Sequence, residues 1–263
     1  MYTVFKFSIS LAFFIFINAV FCTSIFKSEL ILTVLFLFAV ILFRFEGLIY
    51  SALYFFLLFL FTYLSTFFHI NFVSSINLFI PLVISTLLIL PFRQTRSTFS
   101  WLKFGTVDRV SWIIIICTSF GSVAALIAWA LWTNNLGLGV NAMRSMVHYP
   151  LWLLALFGIP LYAMANAFVE EAIFRGIVQE AAMRTLGNLT GALFLQSTVF
   201  AAAHFKGGFP NGAVGYCMVL IYGIMLGVLR VRCKGLLAPW LAHVIADMTI
   251  GYFLLYHVYL TKG

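Results

Sequence analysis

Charge is what this sequence has least of. Its 263 residues include only seven acidic and fifteen basic side chains, 8% of the chain, against 64% hydrophobic residues, whereas soluble domains carry about 25% charged residues. That scarcity excludes a soluble globular domain. It also excludes disorder, which needs low hydrophobicity and many charges. The +8 balance is no nucleic-acid footprint either, because the basic residues are scattered between apolar runs rather than gathered in one patch. Long polar stretches are missing too: none between apolar runs exceeds about seventeen residues, short of the ~50 a soluble domain needs. Cysteine is sparse. Cys22, Cys117, Cys217 and Cys233 lie far apart with no CxxC pair, so they read as small apolar packing residues rather than a zinc knuckle or disulfide framework. Lys6 before the apolar run 7–21 imitates a secretory signal, but bulky Phe21 before Cys22 suits neither a small-residue cleavage site nor a lipobox, so a retained first membrane helix is expected.

What remains is apolar sequence in long runs. A spanning helix needs about 20 mostly apolar residues. Nine candidates emerge, at about 7–26, 30–43, 47–68, 72–92, 110–133, 151–182, 190–205, 213–229 and 236–259. The expected fold is therefore an all-α, polytopic integral membrane bundle of eight or nine transmembrane helices. The second span is short, and Lys27, Glu29, Arg44 and Glu46 lengthen it only by snorkelling. With the N-terminus inside, alternation puts eleven basic residues on the cytoplasmic side: Lys6, Arg44, Arg93, Arg96, Lys103, Arg109, Arg175, Arg184, Arg230, Arg232 and Lys234. Four fall outside: Lys27, Arg144, Lys206 and Lys262. That bias fits nine spans in a cell inner membrane with a cytoplasmic N-terminus. Trp112 and Trp132, twenty residues apart, suit opposite interfaces about 30 Å apart. The segment 91–110, with four positive charges and Trp101, reads as a cytoplasmic loop lying against anionic headgroups.

Residues 1–150 hold Phe- and Leu-rich spans that read as packing or accessory helices; ionisable groups at depth concentrate in 151–260. Glu29, Glu46, Asp108 and Glu180 fall near helix ends or extensions, while Glu170, Glu171 and Asp247 do not. A carboxylate at membrane depth costs at least ~2.5–3.5 kcal/mol on insertion scales, so it normally faces protein or a water-filled cavity and has a partner. In Glu170-Glu171-Ala172-Ile173-Phe174-Arg175 the four-residue spacing pairs Glu171 with Arg175 and points Glu170 elsewhere. The plain structural alternative is a buried ionic clamp between helices. His69, His148 and His257 fall at predicted boundaries or in a loop; His204 and His243 lie within apolar stretches, and His243 shares a helix face with Asp247.

Depth arithmetic joins these residues. From Glu170 to a turn near Leu186 and Gly187, and back up to His204, the two helices run about 24 and 25 Å, so both side chains reach one level. Gln179, Glu180 and Arg184 before that turn, with Asn188 and Thr190 after it, are expected to project into the cytoplasm. His243 lies at a similar depth above the basic 230–234 loop, with Asp247 one turn deeper. The segment 206–212 is left partly at membrane depth, where irregular backbone must line a cavity or be buried in protein; a polar, water-reachable pocket beside it, taking also Lys206, is expected.

These residues form a recognisable set. Over about 169–248 the sequence resembles the CPBP or Abi family of intramembrane endopeptidases, the CAAX proteases and bacteriocin-processing enzymes, whose motifs are EExxxR, FxxxH and HxxxN/D. Here they read Glu170-Glu171-xxx-Arg175, Phe200-xxx-His204 and His243-xxx-Asp247, with a glycine pair at Gly223 and Gly227 spaced for close helix packing. The departure is Asp247, where eukaryotic relatives carry Asn; an ionised Asp cannot donate a hydrogen bond. The resemblance implies that Glu170 with His204 activates a water for attack on a peptide carbonyl. It further implies that His243, oriented by Asp247 or sharing a proton with it, stabilises the oxyanion, with Glu171 and Arg175 completing the site.

The expected substrate is a membrane-associated peptide or protein, with the lipid bilayer as solvent, no nucleic acid and no cofactor. Two rivals use the same residues. In one, Glu170, His204 and His243 ligate zinc, although no HExxH is present. In the other, the pocket belongs to a non-catalytic membrane binding or immunity protein.

Overall fold

The computed structural model of the chain describes residues 2–23, 26–42, 45–70, 74–92, 97–133, 137–146 and 148–260. Backbone polar groups in a bilayer must be satisfied within the segment, which favours helices, and among the described residues there is no strand. The helices are α1 (Tyr2–Thr23), α2 (Phe26–Leu42), α3 (Glu46–Phe67), α4 (Ser74–Ile89), α5 (Arg109–Thr133) and a short α6 (Gly137–Arg144). They continue with a long α7 (Leu151–Leu186), then α8 (Leu189–Gly207), α9 (Gly212–Cys233) and α10 (Leu237–Leu260).

Each of the nine predicted spans coincides with one helix, and α6 lies in the connection before α7. Six helices are long and apolar enough to cross a membrane, at Phe5–Thr23, Gly47–Phe67, Arg109–Thr133, Leu151–Leu186, Gly212–Cys233 and Leu237–Tyr259; Glu29–Ile41 and Ser75–Ile89 are shorter apolar helices. In α8 the apolar run is interrupted by Gln196, Ser197, His204 and Lys206. Large apolar side chains such as Ile15, Leu35, Phe120 and Leu131 face outward, the arrangement of a lipid-facing surface. The protein is an all-α, multi-pass integral membrane bundle.

One aromatic-rich core joins α1, α3, α7 and α8, with Phe13, Phe14, Tyr54, Phe55, Phe174 and Phe200 among its fully buried members. α8 packs most extensively on α9, while α10 packs on α7 and α5. The glycine pair of α9 makes the first contact close. A Cβ on Gly223 would stand 3.1 Å from Ser197 Cβ, and one on Gly227 would stand 2.7 Å from Leu193 Cδ2. The turn between α7 and α8 is made by Gly187 in the left-handed conformation (φ 69°) and by Asn188, whose side chain caps α8 by accepting from the Gly191 amide.

Basic residues gather at one end of the bundle. Glu180 accepts from Arg184 (2.8 Å), Arg230 (2.6 Å) and Ser100 (2.9 Å), and Asp108 accepts from Arg232 (2.8 Å). Arg44, Arg93, Arg96 and Lys262 of the topology count lie outside the described residues, as do the side chains of Lys27 and Glu46.

Three expectations about this region are corrected. Trp101 does not lie on the surface: it is 5% exposed and packs over Gly176, where a Cβ would come within 2.7 Å of the indole. Gln179 does not project; it is fully buried and donates to the Gly227 carbonyl (3.2 Å). Arg175 is fully buried as well and is no marker of a membrane edge. In each case a notch or a buried partner outweighs the polar character that sequence position implied.

Candidate active site

The long α7 carries the first part of the site. Between its α-helical segments Ile159–Glu171 and Gln179–Leu186 lies a π-helical stretch, Ala172–Val178, a local widening that is frequent at functional sites. Glu170 and Glu171 end the first segment. Arg175 Nη1 still reaches Glu171 Oε1 at 2.9 Å, both side chains fully buried, and its guanidinium lies 4.3 Å above the Phe200 ring.

α8 and α10 bring the two histidines to these carboxylates. His204 Nδ1 faces the Phe200 carbonyl at 3.0 Å. A carbonyl only accepts, so Nδ1 carries the hydrogen and the neutral ring presents an Nε2 lone pair. That Nε2 stands 4.0 Å from Glu170 Oε2. His243 Nδ1 lies 2.7 Å from Glu171 Oε1, and its Nε2 lies 3.6 Å from both Glu170 Oε2 and Asp247 Oδ1. The Phe200 ring packs on His204 and His243, at 4.6 and 5.9 Å between centroids.

All six residues that the sequence singled out, Glu170, Glu171, Arg175, His204, His243 and Asp247, therefore come together. The expected depth match between Glu170 and His204 is met. One detail differs. His243 is held at Nδ1 by Glu171, not by Asp247, so Glu171 serves Arg175 and His243 at once, and Asp247 flanks the other ring nitrogen. His69 and His148 are exposed.

Three members, Asn166, Ser75 and Tyr222, are not singled out by the sequence. Asn166, one turn before Glu170 on the same face, donates to Glu170 Oε1 (3.1 Å) and to Asp247 Oδ2 (3.0 Å). Ser75, from α4, donates in turn to Asn166 Oδ1 (2.6 Å). Tyr222 packs edge-on against His243 and donates to the Ala242 carbonyl (3.1 Å). The i,i+4 spacing of Asn166 and Glu170 was the available signal. Ser75 left none.

Glu170 is thus asymmetric. Oε1 is held by Asn166, while Oε2 is buried without a hydrogen-bond partner among the described residues. A cavity of about 70 Å³ adjoins this centre, with His204, Tyr222, His243 and Asp247 on its polar side and Leu126, Phe209, Met218 and Ile250 on its apolar side. That space is large enough for a few water molecules. Phe209 and Pro210 place the irregular segment at the cavity, as expected, but the lining is largely apolar rather than polar, and exposed Lys206 is not part of it. Leu126, with Ser122 and Ala125, shows that α5 helps to build the cavity. Among the described residues no group of three or more His, Cys, Asp or Glu side chains is arranged to hold a metal ion.

Residues 150–249 match a family model described as Rce1-like, type II CAAX prenyl endopeptidase Rce1-like. Neither a curated protein nor a solved structure matches the chain.

Proposed function

We propose, from the match of residues 150–249 to the Rce1-like CAAX endopeptidase model, an intramembrane endopeptidase that hydrolyses a membrane-associated peptide or protein with water activated by Glu170 and His204. The observation that carries this reading is Oε2 of Glu170, which accepts no hydrogen bond among the described residues and faces His204 Nε2 at 4.0 Å. Two atoms so spaced can both hydrogen-bond one water at about 2.8 Å. The water oxygen attacks the peptide carbonyl while Glu170 and His204 take its proton, which passes to the departing amine nitrogen as the C–N bond breaks. His243, held at Nδ1 by Glu171, offers Nε2–H in its imidazolium form to the developing oxyanion. Asn166 is a positioning residue, and Arg175 sustains Glu171.

Residues 151–260 form the catalytic core in this reading and 1–150 the accessory part, with Ser75 and α5 reaching the site from it. The basic end faces the cytoplasm of a cell whose inner membrane holds the chain, its N-terminus inside, in keeping with the distribution of Lys and Arg.

The test is cleavage of membrane peptides by purified protein. Glu170→Gln and His204→Ala are each expected to reduce cleavage by ~10²–10⁴-fold while leaving the fold intact. Normal cleavage by both variants overturns the site. Stoichiometric zinc whose chelation stops cleavage overturns the water–glutamate mechanism. A cellular phenotype that survives Glu170→Gln assigns a binding or immunity role instead.

A further inference from the structure

At the basic end of the bundle a second cavity, of about 510 Å³, opens between the segment before α5 and the α9–α10 turn. Lys103, Arg230 and Lys234 line it together with Ser100, Trp101 and Thr106, and among the described residues no carboxylate does. Behind Arg230, Glu180 pairs with both Arg230 and Arg184, which leaves that trio with one positive charge in excess. Neither Lys103 nor Lys234 pairs with a carboxylate among the described residues, so the cavity carries uncompensated positive charge.

We propose that this cavity binds the phosphate group of an anionic membrane lipid. Trp101 supplies independent support: it lines the cavity, is 5% exposed, and its indole N–H is buried without an acceptor among the described residues, a costly state that an anionic oxygen reaching it would relieve. The surroundings suit a lipid rather than a free anion. Leu102 and Phe104, 59% and 81% exposed, flank Lys103 on non-helical backbone pinned to the start of α10, where the Lys103 and Phe104 carbonyls accept from Leu236 and Leu237. Acyl chains can lie against these two side chains while the headgroup enters between the lysines. Lys234 stands in the left-handed conformation (φ 54°) at the end of α9, a position glycine or asparagine occupies more cheaply. What lysine adds there is a positive charge on a residue that lines the same cavity.

The experiment uses the full chain in neutral detergent and follows thermal unfolding with added phosphatidylglycerol, phosphatidylcholine or inorganic phosphate. Phosphatidylglycerol is expected to raise Tm in a saturable way, with the neutral lipid and inorganic phosphate giving little. Lys103→Gln with Lys234→Asn, both at exposed positions and the second suited to its backbone, is expected to weaken apparent affinity roughly thirtyfold for two lost charges at the headgroup. Trp101→Phe, which keeps the ring and removes the N–H, is expected to weaken it as well. Equal shifts with the two lipids, or a shift untouched by the lysine double variant, overturn the site. A shift with inorganic phosphate equal to that with phosphatidylglycerol overturns its assignment to lipid. No arm reads cleavage, so the outcome is independent of the peptidase reading.

Discussion

Arg175 and Glu171 offer the sharpest test of how the site is held. Both side chains are fully buried and 2.9 Å apart, and the guanidinium also lies on the Phe200 ring. Arg175→Leu leaves the Glu171 carboxylate in the core with one partner, His243 Nδ1 at 2.7 Å. Breaking a buried pair by removing one member costs ~3–5 kcal/mol, and the lost cation–π contact adds ~0.5–2 kcal/mol. Glu171→Leu strands the arginine at a similar cost. The double variant removes both charges, and its main residual penalty is the His243 N–H left without an acceptor, ~1–3 kcal/mol. The two losses should therefore be far from additive, with a coupling of at least ~2 kcal/mol. Unfolding of the wild type, both single variants and the double variant in one detergent at neutral pH measures it. If the double variant loses the sum of the single losses to within ~0.5 kcal/mol, the two groups act independently and the argument for a shared buried charge network fails.

Asn166→Leu removes the two hydrogen bonds that orient Glu170 and Asp247; kcat should fall by up to ~10²-fold with KM little changed, and a purely structural role would instead lower Tm without that split. Gly227→Val should destabilise by ~1–3 kcal/mol through overpacking against Leu193 and Gln196. Gly121→Ala, where a Cβ meets nothing within 4 Å, serves as the neutral control in the same unfolding series. The Asp108 carboxyl is held below its ordinary range, first by the Ser111 hydroxyl and amide and then by Arg232. A carboxyl lowered in this way contributes stability at neutral pH that disappears as pH falls through its folded value. Asp108→Asn should therefore be less stable than the wild type at neutral pH, and the two should converge in acid; a gap constant across the pH series would show that ionisation is not its source.

Much of this architecture was legible because helical rises are regular. Glu170 and His204 meet because α7 and α8 run nearly equal lengths from a tight turn at Gly187 and Asn188, so counting residues measures depth. Glu171 and Arg175 meet because four residues bring side chains onto one face. The partner of each ring nitrogen was not legible, since a one-turn sequence neighbour such as Asp247 competes with Glu171, 72 residues away. Asn166 escaped notice because a lone amide in an apolar run carries no mark of what it orients. Trp101 among basic residues reads as interfacial, and only the notch at Gly176 shows why it turns inward.

The widened turn at Ala172–Val178 also sets the tolerance of this helix to insertion and deletion. A π turn takes up roughly one residue more than an α turn, so everything after Val178 is out of phase by about 100° with an unbroken α-helix. Glu170, ahead of the shift, faces His204 and His243, while Gln179 and Glu180, behind it, face Gly227 and Arg230 on α9. Removing one residue other than Arg175 between 172 and 178 would let the stretch relax to plain α geometry with both faces kept in phase, whereas losing one from the flanking α segments would turn one of these two faces away from its partners. A one-codon deletion within this stretch should thus be tolerated better than one in Ile159–Glu171 or Gln179–Leu186, which rotates a whole half-helix rather than altering one side chain.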